Sequence, residues 1–291
     1  MTAKARVLVM GATGQVGGAL IPHLAKHTHL EVVAAVRNRT KAALFNIPTV
    51  HLDLDDFSSL GPALEGIKRI FMVTGYTVDM LRQSKDLVNS AKRAGVQQIV
   101  HLGACGDNDT HVAHYGWHQF IERYIEWSGV KFTHLRPEIF MQNLLGYGGE
   151  SYVKNGVIKH YVGTARLSWV DCDDVAAVAA ECLAHPEAHS GQTYRMGYEA
   201  KTYHELAEVF SKTLGQPFRY EPQPPSEFLR NVLAAGAEPA YMKCVFESYR
   251  DLTNGVDIGA DEIFYNFPKI TGRQPSTLAD FALKHADTFR Y

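Results

Sequence analysis

The chain has 291 residues, 46% of them hydrophobic and 21% charged, with 29 Lys plus Arg against 31 Asp plus Glu. That balance allows a large buried core, excludes nucleic acid or a membrane surface as a partner recruited by global charge, and points to a small-molecule ligand. The four cysteines, at 105, 172, 182 and 244, have no metal-like spacing, and the chain reads straight into a strand without a signal peptide or a membrane-length apolar run. A reduced, cytoplasmic protein is the expectation.

The first ordered stretch carries the strongest signal. An apolar strand through Val7, Leu8, Val9 and Met10 meets glycines at 11, 14 and 17, and the helical pattern Leu20, Ile21, Leu24 follows. A strand, a tight turn and a helix in succession make a phosphate cradle, with Gly11, Thr13, Gly14, Gln15, Val16 and Gly17 around the pyrophosphate of a dinucleotide. The bland alternative is a structural glycine turn. The helix, from about Gln15 to His27, carries Pro22 in its interior and is expected to bend there.

A second apolar run, Glu31 to Val36, ends at Arg37, 20 residues past Gly17, with Arg39 and Lys41 behind it. An acidic residue about 20 positions past the glycines binds a ribose 2′-hydroxyl, whereas an arginine there accommodates a 2′-phosphate. No carboxylate lies between 32 and 50, so the cations read as a clamp that prefers NADP(H) to NAD(H). The competing reading is a solvated basic loop. Asp53 and Leu54, past a short strand from Thr49 to Leu52, face the adenine end, and Asp55 or Asp56 caps the next helix.

Strands at Arg69–Val73, Gln98–Leu102 and Lys131–Leu135 alternate with helices at about 78–94 and 113–127, which completes six strands before residue 137. Thr74 and Gly75 fall just past the fourth strand and are assigned to the same ligand, as are Pro137 and Phe140 beside the nicotinamide. Beyond Pro137 the rhythm breaks: 139–152 has helical spacing, short strands follow near 156–162 and 167–170, and further helices near 173–183, 203–214, 226–235 and 240–252. The expected architecture is α/β: a Rossmann doubly wound parallel sheet over 1–137, with a smaller α+β substrate lobe over 138–291, some of whose segments return to the sheet. Phe140, Asn143, Tyr147, Trp169 and Tyr241 are read as walls of a cleft for a flat aromatic substrate; each has core packing or a plain helix surface as its ordinary alternative.

Taken together, Gly11-Ala-Thr-Gly14-Gln-Val-Gly17, Val36-Arg37-Asn38, Thr133-His-Leu-Arg-Pro137, Phe140-Met-Gln-Asn143-Leu, Trp169-Val-Asp171-Cys-Asp-Asp174 and Gly191-Gln-Thr-Tyr194 resemble the NmrA-like family of atypical short-chain dehydrogenases/reductases. The resemblance implies an NAD(P)-binding Rossmann domain and an activity on quinones, dyes or enones, or else a redox-sensing regulator that binds the nucleotide without turnover. The superfamily's Tyr-x3-Lys pair is absent, and His114 and His118 stand at its positions. His118 near the nicotinamide ribose, with His114 or Tyr115 as proton donor, is one reading of this helix; a metal site including His111 and a polar surface face are the others.

Overall fold

The computed structural model describes residues 4–146 and 152–291. Its first half contains the strands β1 (Ala5–Val9), β2 (Leu30–Val36), β3 (Thr49–His51), β4 (Arg69–Met72), β5 (Gln98–Leu102) and β6 (Lys131–Pro137), and the helices α1 (Gln15–Leu24), α2 (Phe57–Leu64), α3 (Met80–Arg93) and α4 (Ala113–Ser128). Strands β2 and β4 are apolar along most of their length because a parallel sheet covered by helices buries both faces.

The second half holds β7 (Ile139–Phe140), β8 (Val153–Lys154), β9 (Val157–His160), β10 (Arg166–Val170), α5 (Cys172–Ala184), α6 (Pro186–His189), β11 (Gln192–Met196), β12 (Glu199–Thr202), α7 (Tyr203–Leu214) and β13 (Arg219–Pro222). It closes with α8 (Pro225–Ala234), α9 (Pro239–Thr253), α10 (Phe267–Thr271), α11 (Leu278–Lys284) and α12 (Ala286–Phe289).

The central sheet has seven strands in the order β11-β6-β5-β4-β1-β2-β3, every pair parallel. This is a Rossmann-type sheet with helices on both faces. One face buries Leu20 and Leu24 of α1 against the alanine-rich α5; the other buries Leu60, Leu87 and Ile121 of α2, α3 and α4. Full burial of such a side chain stabilises by about 1.5–3 kcal/mol. Two three-stranded sheets, β12-β10-β7 and β13-β9-β8, build the second lobe over its own core of Trp169, Tyr203, Phe210 and Phe281.

One segment expected to return to the sheet is now located, and two expectations need correction. The seventh strand comes from Gln192–Met196, paired with β6; its mixed burial pattern hides it from a search for apolar runs. The helical spacing of 139–152 is realised as the two-residue β7 and a short 3-10 turn, Met141–Leu145, because β7 pairs with β10; residues 147–151, Tyr147 included, lie outside the described residues. Helix α1 stops at Leu24 rather than His27, and Pro22 is accommodated within it.

Candidate active site

The carboxyl ends of β1, β2, β3 and β4 open into a cleft of about 470 Å³, at the point where the strand order reverses between β1 and β4. Gly11 turns the chain with φ +61°, and the Gly14 N–H donates to its carbonyl at 2.8 Å. A Cβ on Gly17 would lie 2.3 Å from that same oxygen, so glycine is what lets α1 pack down on the strand end. Gly14 is the N-cap of α1 with no side-chain cap, and the first turn holds no acidic residue. The orphan N–H groups near Gln15, Val16 and Gly17 and the positive end of the helix dipole are therefore left for an anion.

Around this cradle, Thr13, Arg37, Lys41, Asp53, Leu54, Thr74 and Gly75 line the cleft. Arg39 does not. Asn38 caps the 3-10 turn that begins at Arg39, its side chain accepting from the Thr40 N–H at 3.0 Å, and Arg39 itself lines a separate hollow with His51 and Asp56. Asp56 caps α2, accepting from the Ser58 N–H at 3.0 Å, while Asp55 engages Arg82 and Gln83.

A second cavity of about 180 Å³ adjoins the first through Tyr76, which lines both. Its walls are His114 and Tyr115 of α4, Phe140, Asn143, and Tyr241 and Tyr249 of α9. Tyr241 packs against Tyr76, His114 and Trp117 with ring centres 5.4, 5.3 and 6.0 Å apart. The sequence reading of Trp169 as a wall is corrected here. Its ring is fully buried in the second lobe against Tyr203, and its indole N–H donates to the Lys201 carbonyl, because β10 lies in the middle of its sheet.

The histidines separate. His111 precedes α4 and faces Asp251 at 3.7 Å. His114 lines the aromatic cavity, with burial lowering its pKa to about 4. His118, one turn on, is buried beside His101 at 5.8 Å, and burial holds it well below the usual histidine range, so it is a neutral imidazole at pH 7. His101 and His134 stand next to Glu122 within 4.8 Å, but Arg136 takes both oxygens of that carboxylate, at 2.9 and 2.5 Å. A guanidinium already neutralises the group.

Sequence reasoning missed a further chain of buried polar groups behind the aromatic cavity. Tyr115, Cys105 and Glu138 stand together there: burial, with the neighbours' charges, raises the Cys105 thiol and the Tyr115 phenol well above their usual ranges. Glu138 is 4% exposed; Arg195 reaches its Oε1 at 3.2 Å, and its Oε2 has no partner among the described residues. Burial raises its pKa to about 7 against the pull of Arg195. Arg195 also pairs with the exposed Asp107 and Glu262, which connects the carboxyl group to solvent. The only local signal for Glu138 is a carboxylate directly after the apolar strand end at Pro137.

The sequence pattern of the NmrA-like family matches residues 3–281. The chain belongs to the NmrA-like family. Among curated members, this NmrA-like chain is 30% identical over 290 residues to an NAD(P)H azoreductase of Xenophilus azovorans, covering 97% of the chain and 99% of the relative. It is 26% identical over 285 residues to quinone oxidoreductase 2 of Escherichia coli, covering 94% of the chain and 96% of that relative. Its fold matches that of the Citrobacter sp. triphenylmethane reductase complexed with NADP(H), with a TM-score of 0.80 at 24% identity over 96% of this chain and 99% of that one. Among the described residues, no helix is long and apolar enough to cross a membrane.

Proposed function

We propose that this protein is an NAD(P)H-dependent reductase, with NADP(H) preferred, that passes hydride to a planar electrophilic aromatic molecule of the quinone, dye or enone class. The observation that carries the reading is the junction at Tyr76, where the glycine-cradled cleft runs into an aromatic cavity. The residues fit a dinucleotide: the Gly17 position admits no Cβ, the α1 N-terminus is uncapped, and Arg37 and Lys41 flank the β2 end. The relatives' activities on azo and quinone compounds support the same substrate class.

The reduced nicotinamide supplies the hydride when bound. The chain's own part is to position both molecules and to supply a proton. Residues 1–137 hold the nucleotide, with Pro137 and Phe140 beside the nicotinamide, while the lobe from 138 onward presents Phe140, Asn143 and Tyr241 to the flat substrate. A hydrophobic aromatic slot excludes water and sets the acceptor ring parallel to its donor.

Tyr115, on the cavity wall, is the protein's proton donor, with the buried Glu138 carboxyl group near it. His114 and His118 remain neutral; His114 shapes the cavity, whereas His118 is buried against His101 rather than lining it. The test is an NADPH-oxidation screen against quinones, azo and triphenylmethane dyes, enones and aldehydes, beside titrations of NADPH and NADH. Turnover of one of the first four classes is expected. Tight nucleotide binding without turnover of any class would instead make the protein a nucleotide sensor.

A further inference from the structure

The pole of the sheet opposite the nucleotide cleft carries a cluster that the proposed reaction does not use. His27 and His29 stand in the connection from α1 to β2, and His185 caps the carboxyl end of α5. Their ring centres are 5.9 Å apart for His27 and His29, 5.7 Å for His27 and His185, and 6.2 Å for His29 and His185. Glu181, one helical turn before His185, faces two of them: its Oε1 is 3.7 Å from Nε2 of His27 and its Oε2 is 3.6 Å from Nε2 of His185. His29 donates from Nε2 to the Ala184 carbonyl at 3.2 Å, the tautomer that leaves its Nδ1 with a free lone pair.

We propose that His27, His29, His185 and Glu181 form a site for one divalent late-transition-metal ion of the zinc type. The size fits. A near-equilateral triangle of those dimensions has its centre roughly 3.4 Å from each ring, and a Zn–N bond of about 2.0–2.1 Å puts an imidazole centre roughly 3.2 Å from the ion. In the present rotamers the nitrogens do not yet converge, so binding requires the rings to turn about their side-chain torsions, His29 pivoting about its hydrogen bond to Ala184. The two Nε2 atoms already face the carboxylate that would be the fourth ligand.

The donor set is also the right one. Three imidazoles and a carboxylate suit a borderline cation, and the tetrahedral count is complete without water. The carboxyl end of α5 presents its last carbonyls here, where the Arg69 guanidinium donates to those of Leu183 and Ala184, so Glu181 is the site's own compensating negative charge. At the pole Lys26 meets His23, whose Nε2 faces Asp173 at 3.0 Å, and neither blocks the triangle.

An ion held there would tie the α1–β2 connection to the end of α5, on the face where α1 and α5 pack. Since it would bind the folded chain and not the unfolded one, it would act as a staple behind the helix that carries the cradle. The site is independent of the reductase reading, because it lies at the amino ends of the strands.

The experiment uses untagged, chelator-treated full-length protein titrated with Zn²⁺ by calorimetry, with thermal unfolding and the visible spectrum of the Co²⁺ form as parallel readouts. One saturable equivalent is expected, with a rise in Tm of about 3 °C or more at saturation and the intense bands of tetrahedral cobalt. His27→Ala and His185→Ala should each weaken Zn²⁺ binding by about tenfold or more, and Glu181→Gln by less, with NADPH affinity unchanged. His185→Gln, at a half-exposed position, serves if His27→Ala fails to fold. Absence of saturable binding, several weak equivalents, or wild-type affinity in the His185 variants would overturn the site. So would loss of binding in His101→Phe, which would put the ion at the buried His101–Glu122–His134 group.

Discussion

Tyr76 meets Tyr241 edge-on, with ring centres 5.4 Å apart and planes at 60°. The contact joins the loop after β4, on the rim of the nucleotide cleft, to α9 in the second lobe, where the two cavities adjoin. Tyr241→Ala removes a ring that also packs on His114 and Trp117. It should raise KM for an aromatic acceptor by about tenfold, the worth of an aromatic pair plus its buried area, and leave NADPH affinity unchanged within about twofold. Steady-state kinetics beside a fluorescence titration of NADPH checks both halves.

In the proposed reading, cofactor choice rests with Arg37 and Lys41, which line the cleft. Charge-assisted contacts to a 2′-phosphate are worth roughly 1.5–3 kcal/mol, so the protein should bind NADPH about tenfold or more tightly than NADH. The double change Arg37→Ala, Lys41→Ala should erase that ratio while leaving NADH binding nearly intact, because the cradle holds the pyrophosphate. Arg39→Ala should leave the ratio unchanged, since Arg39 lines the hollow beside His51 and Asp56. Equal affinities in the wild type would dispose of the clamp.

The two inner glycines should fail in different ways. Gly14→Val adds bulk at the mouth of the cradle, where the Cβ alone stands 3.1 Å from the Gly11 carbonyl; nucleotide binding should be lost from a protein that still folds. Gly17→Ala places its Cβ 2.3 Å from that carbonyl and 2.9 Å from the carbonyl of Met10, so α1 must lift from the strand. Its Tm should fall by several degrees, on the scale of the 1–3 kcal/mol that overpacking costs in about this size of chain. Circular dichroism melts alongside NADPH titration separate the two outcomes.

Tyr115→Phe removes the proposed donor hydroxyl. A general acid is typically worth about 10²–10⁴-fold, so kcat should drop by at least about a hundredfold with NADPH affinity retained. Glu138→Gln removes the ionisation near pH 7, and the corresponding limb of the kcat profile should vanish with it. Turnover of Tyr115→Phe at the wild-type rate would assign the proton to water.

Acid should unfold the protein early. His101, His114 and His160 have their pKa lowered by burial to about 4, 4 and 3, and His118 is lowered as well. A depressed histidine contributes stability that is present above the unfolded value of about 6.5 and is lost as pH falls toward the folded one, with a tenfold difference in proton affinity worth about 1.4 kcal/mol. Glu138 acts oppositely: with its pKa raised to about 7, its contribution is present below the unfolded carboxylate value and is lost as pH rises through 7. The histidines outnumber it, so the midpoint in urea should fall steeply between about pH 6.5 and 4 and change less above 7. A flat urea midpoint across pH 6.5 to 4 would contradict the buried neutral imidazoles.

The glycines at 11, 14 and 17, the apolar run before them and the arginine at the end of β2 made the nucleotide cleft legible in the sequence. Each is a local requirement, set by backbone angles, a helix terminus and a fixed stride of about 20 residues. Six of the seven strands were legible too, the inner ones from their largely apolar cores and the short β3 from its place in the β–α alternation. The edge strand β11 was not, because one side of it faces solvent and the pattern dilutes. Only the tertiary structure decided which aromatic rings form the cavity. Tyr76 and Tyr241 are 165 positions apart in the chain, yet their rings touch, while Trp169, equally aromatic, is sealed in the second lobe by the sheet around β10. The same holds for Glu138, Cys105 and Tyr115, and for His27, His29 and His185. A titratable side chain takes its charge and its partners from whatever the fold packs against it, and no spacing along one strand or one helix encodes that.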